Sequence, residues 1–98
     1  MAGMLRVSVA DMERAEARCR ALSQEIERCR REAIAMNADL QAVYEGQAAR
    51  SFDAFVQQTA SPVLTQVSQM CDETARGIRN TLTEFMAADR SLAGVFRA

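Results

Sequence analysis

The stretch LQAVYEGQAARSFDAF, residues 40–55, decides the fold. A long helical pattern runs into Leu40 and Val43, stops at Tyr44-Glu45-Gly46, and resumes with Phe52 and Phe55. Glycine adopts positive φ without steric penalty, so Gly46 is read as the residue that ends one helix and turns the chain back. Tyr44 is then an amphipathic ring at the end of a bundle, its body against the return helix and its hydroxyl toward water.

Upstream of this turn the pattern is regular. Leu5, Met12, Cys19, Ile26, Ala33 and Leu40 recur every seventh residue, and Ser8, Ala15, Leu22, Cys29, Met36 and Val43 interleave between them. Alternating three- and four-residue spacing sustained in this way is a coiled-coil seam. Ser8 followed by Asp11 resembles a capping box, with the Asp also favoured by the helix dipole. The spacing predicts a first helix from about Val9 to about Val43, with Glu16/Arg20 and Glu27/Arg31 as supporting pairs on its wet face.

Downstream, Phe52, Val56, Thr59, Val63, Val67, Met70, Thr74, Ile78, Leu82 and Phe85 mark a stripe whose period is nearer to that of a free helix. Phe55, Ala60, Leu64, Cys71, Ala75 and Met86 widen it on one side. A second helix over about 48–89 follows, after a turn at about 44–47. Pro62 interrupts the stripe, and a proline inside a helix costs about 3 kcal/mol. Ser61-Pro62 also looks like an N-cap followed by Pro at the first helical position. A kink or short break near Gln58–Ser61 is expected.

Two helices joined by a tight turn form an antiparallel hairpin, and the class is all-α. The second helix is apolar over more than one neighbour can cover, and such a face is an interaction surface. The expected closure is a second hairpin, giving a four-helix bundle with Val67, Cys71 and Ala75 at the dimer interface.

Composition removes whole classes of function. The chain has 98 residues, 49% hydrophobic and 26% charged, which suits one small folded domain. A net charge of -1, with Glu25, Glu27 and Glu32 set among the arginines of RCRRE (28–32), argues against nucleic acid as a partner. There is no histidine and no CxxC spacing, so a zinc site is not expected, nor is any other cofactor. Without a histidine base, a Gly-rich phosphate loop or a nucleophile context, neither catalysis nor a small-molecule substrate is expected. Cys19 and Cys29 lie ten residues apart, too far for a mutual disulfide, and both fall on the apolar stripe, where they read as buried thiols acting as small hydrophobes. The opening MAGMLRVSVADMERAE lacks the apolar core of a secretory signal, so any export is expected to use a folded or internal signal.

Size, two long helices and an aromatic-x-Gly turn at the midpoint resemble the WXG family, the small early-secreted-antigen-like proteins of type VII secretion. Tyr44-Glu45-Gly46 occupies the place of the family's Trp-x-Gly, and Ala48, Ala49 and Phe52 resemble its continuation. The resemblance extends to EFMAADRSLAGVFRA at the C-terminus. Type VII substrates carry a Tyr followed four residues later by an acid, and Phe85 and Asp89 take those places. Leu92 and Phe96 stand where the family's signal continues with apolar residues. The resemblance implies that Phe85, Asp89, Leu92 and Phe96, in a tail over about 85–98, form an export signal read by the ATPase of the secretion machinery. It also implies a protein secreted without a cleaved signal peptide, as a homodimer or as a heterodimer. The heterodimer partner would be another small helical hairpin or a larger secreted substrate. The alternative is a cytosolic coiled-coil scaffold or chaperone subunit that shares the fold and is not exported.

Overall fold

The computed structural model describes the backbone of residues 8–97, with side chains other than those of 91–93 and 95–97. Leu5, at the head of the heptad pattern, lies outside the described residues. Helix α1 spans Val9–Val43 and helix α2 Gln47–Phe55; a π-helical turn, Val56–Ala60, joins α2 to helix α3, Ser61–Arg97. The chain reverses once, at Tyr44–Gly46, and the two arms lie side by side as a hairpin 76 Å long and 23 by 17 Å across.

Each end of α1 has a local cause. Ser8 Oγ accepts from the Asp11 amide at 3.1 Å, and the Asp11 carboxylate accepts from the Ser8 amide at 3.5 Å. The capping box is therefore closed, and it satisfies donors that the first helical turn leaves unpaired. At the other end Tyr44 leaves the helix in an extended conformation. Gly46 follows with φ 109° and ψ -174°, a region that residues with a Cβ avoid, and its carbonyl accepts from Arg50 to start α2.

Pro62 is accommodated without a break. Ser61 is not an N-cap: its backbone is right-handed helical and its amide donates to the Val56 carbonyl, five residues back. Widening the turn to this i→i+5 pattern inserts one extra residue ahead of the proline, whose missing amide could not continue the ordinary ladder. The helical direction runs on from Gln47 to Arg97.

The packing between the arms corrects the heptad reading. Met12, Cys19, Ile26, Ala33 and Leu40 do turn toward the return arm and are half-buried. The interleaved series does not: Ala15, Leu22, Cys29, Met36 and Val43 are exposed, Leu22 at 53% and Met36 at 56%. The positions that complete the contact are polar, with Glu16, Ser23 and Asn37 buried. The buried residues of the other arm are Ala49, Val56, Ser68, Ala75 and Leu82, and Ser68 is the one that bonds to Ser23. Small side chains explain the choice. Ser23 and Ser68 touch through Oγ atoms 3.0 Å apart, and each reaches the other's backbone carbonyl, a close approach that bulky side chains would prevent. Cys29 is accordingly an exposed thiol and not a buried one.

Candidate interaction face

The contact between the arms has two flanks of opposite character. Both helices are right-handed and they run antiparallel, so Ala15, Leu22, Cys29, Met36 and Val43 of α1 lie on the same side as Leu64, Cys71, Ile78 and Phe85 of α3. The opposite side carries Arg20, Glu27, Asp53, Asp72 and Arg79. One depression there gathers Arg20, Ser23, Glu27, Ser68 and Asp72.

The polar flank is closed by its own hydrogen bonds. Glu16, only 8% exposed, receives Arg79 Nε at 2.9 Å and Nη2 at 2.6 Å on one carboxylate oxygen. Its other oxygen receives Arg20 at 3.2 and 3.1 Å. The Arg79 hydrogen bonds, and then those of Arg20, hold the Glu16 carboxyl below its ordinary value of 4.5 against the opposing effect of desolvation. The wet-face pairing expected for Glu16 with Arg20 exists, but it lies at the hairpin contact and recruits the second arginine. Glu27 pairs with Arg30, which also reaches Ser61 Oγ at 3.5 Å. Nearer the turn, Asp53 accepts from Asn37 at 2.8 Å and from Gln57 at 2.7 Å, and these bonds lower its pKa. Gln41 donates to the Ala49 carbonyl at 2.7 Å.

The apolar flank has no such partners. Leu22, Met36, Val43, Phe55, Val67 and Phe85 are all large and exposed there, and Val63 and Met70 are exposed farther round α3. Two helices side by side make one layer, and the apolar flank has no second layer to cover it.

The residues singled out in the sequence fall in distinct places. Val67 stands at the rim of the open face and Cys71 is half-buried between that face and α1. Ala75 is fully buried against α1 and forms part of the hairpin's own contact. Tyr44 is exposed at the turn, where it borders a hollow with Leu40, Ala48 and Phe52. Phe85 and Asp89 are exposed on α3. Leu92 and Phe96 continue the same helical stripe at intervals of three and four, but their side chains lie outside those described. The buried polar row Glu16, Ser23 and Asn37 was missed because a polar residue registers no apolar period. Its spacing of seven and fourteen residues, with Arg30 at the skipped position, was the available signal.

Among the described residues no group of three His, Cys, Asp or Glu is placed to hold a metal, and no helix is long and apolar enough to cross a membrane. The arrangement offers a broad apolar surface and, on α3, exposed Phe85 and Asp89, which suit macromolecular recognition. A family model described as "WXG100: Proteins of 100 residues with WXG" matches residues 4–90. No curated protein and no solved structure matches.

Proposed function

Because the chain belongs to the WXG100 family, the small helical proteins associated with type VII secretion, we propose that it is secreted by such a system, or pairs with a larger substrate and lends it an export signal. The observation that carries this reading is the open apolar face, in a hairpin whose Glu16, Glu27 and Asp53 are paired on the opposite flank, with Phe85 and Asp89 exposed on α3. In this reading a second hairpin covers Leu22, Met36 and Val67 to make a four-helix bundle. The second hairpin is either a copy of this chain or another small helical protein. Tyr44 and Gly46 form the reversal. Phe85, Asp89, Leu92 and Phe96 are the address read by the secretion ATPase.

The tail suits that role physically. Intervals of four, three and four put the four residues on one face, so a single groove can read them together. Apolar anchors supply most of the affinity, and Asp89 fixes register by pairing with a receptor cation. Detection in the culture medium tests the proposal. Wild type is expected outside the cell. Asp89→Ala is expected to stay inside with unchanged helical content. Normal release of both Asp89→Ala and Phe96→Ala places the address elsewhere. Retention of wild type would favour a scaffold that never leaves the cell.

A further inference from the structure

The three cysteines are unequal. Cys29 is exposed, whereas Cys19 and Cys71 are half-buried, one on each arm. The serine contact sets the register between the arms. Ser23 Oγ lies 3.2 Å from the Ser68 carbonyl oxygen, and Ser68 Oγ lies 3.4 Å from that of Ser23. This reciprocal pattern puts the two serines at the same level on antiparallel helices. The Arg30–Ser61 hydrogen bond agrees with it two turns away.

From that level Cys19 lies four residues back along α1, ~6 Å, and Cys71 three residues forward along α3, ~4.5 Å in the same direction. The two are therefore level to within ~1.5 Å. Both lie on the apolar side of the contact, Cys19 in the inward row of α1 and Cys71 in the row of α3 beside Ser68 and Ala75. Serine-to-carbonyl contacts require helix axes only ~8–9 Å apart. With Cα atoms ~2.3 Å from each axis, and the two cysteines turned ~40–60° from the line between the axes, their Cα atoms lie ~5–6 Å apart, inside the ~4.4–6.8 Å that a disulfide spans. Cys29 is excluded from such a bond. It lies ten residues from Cys19 on the same helix, and at a level ~13 Å from Cys71.

We propose that Cys19 and Cys71 are a redox clip, an intrachain disulfide that ties α1 to α3 when the chain meets a disulfide oxidant. With oxidised glutathione as that oxidant, one cysteine thiolate attacks it to give a protein–glutathione mixed disulfide and releases one glutathione thiolate. The second cysteine thiolate then attacks the protein sulfur of that bond and releases the other. Two protein thiols are oxidised, one glutathione disulfide is reduced to two thiols, and the protons lost by the cysteines are taken up by the leaving thiolates. In a reducing cytosol the clip is open, and in oxidising surroundings it closes. It restrains the unfolded chain across the whole of residues 19–71, reversal included. The bond uses groups within one hairpin, so it does not depend on the export reading and leaves the open face apolar.

The test uses the purified full-length chain, reduced and then equilibrated with an oxidising glutathione buffer, followed by thiol alkylation and peptide mapping. Wild type and Cys29→Ser are expected to show Cys19 linked to Cys71 in one chain. Their melting midpoints should rise by roughly 10–20 °C over the reduced forms. Cys19→Ser and Cys71→Ser should form no intrachain bond and gain nothing. The proposal is overturned if Cys19 and Cys71 are both alkylated after oxidation, if they remain as glutathione adducts, or if they are found bonded to Cys29 or to another chain.

Discussion

The two flanks of one helical contact differ as sharply as the inside and outside of a globular protein, yet both face outward. On one side Glu16, Arg20, Arg79, Asn37 and Asp53 satisfy each other. On the other, Leu22, Met36, Val43 and Val67 have nothing above them. The comparison teaches where stability resides. The buried Val56, Ala75 and Leu82, the serine contact and the polar flank hold the hairpin together. The apolar flank contributes little until something covers it, because hydrophobic stabilisation follows area removed from water.

The largest effect that probes this division is on association. Val67→Glu places a charge on the proposed covered face and should weaken pairing by roughly 3 kcal/mol or more. The isolated hairpin should lose no more than about 0.5 kcal/mol, since the residue is solvent-facing there. Sedimentation read beside thermal melts separates the two. An equal loss in the melt of the separated hairpin would show that the apolar flank is part of the hairpin's own core.

The serine contact should respond in the opposite sense. Ser68→Leu forces bulk between helices that touch at 3.0 Å and should destabilise the hairpin by about 1–3 kcal/mol in denaturant melts. Comparable in size is Gly46→Val. No atom lies within 4 Å of a Cβ built at this position, so its cost is conformational alone, about 1–3 kcal/mol for φ 109°. A melt that matches wild type would mean that the reversal tolerates another backbone path.

These residues also mark how far the sequence could be read. Helix extent, the cap at Ser8 and the reversal at Gly46 follow from local chemistry, and local chemistry is written in neighbouring residues. The inward row Met12, Cys19, Ile26, Ala33 and Leu40 follows from its period. Whether the return arm covers Leu22 and Met36 does not, because a heptad pattern is the same whether the opposite helix belongs to this chain or to another. The polar seam stayed hidden for a related reason: Glu16 reads as a wet-face residue until Arg79, sixty-three residues away, is brought beside it. Pro62 signalled an interruption, but nothing nearby distinguished a cap from the π turn that absorbs it.

The smallest effect is the pH dependence of the polar flank. The Glu16 carboxyl titrates below 4.5 in the hairpin, so its contribution is fully present above 4.5 and is lost as pH falls through the lowered folded value. Melting midpoints should therefore drop in acid, and Glu16→Gln should flatten that part of the profile. An unchanged slope in the variant would remove Glu16 from the account.

The central claim is that a second hairpin covers the apolar flank. The most direct measurement is sedimentation equilibrium of the chain in two preparations, purified alone and recovered with its companions from the cells that make it. The mass of two hairpins is expected in at least one of them. Val67→Glu is expected to return the chain to 10.8 kDa with its helices intact. A wild-type chain that sediments at 10.8 kDa in both preparations, at concentrations where such bundles pair, would contradict the claim.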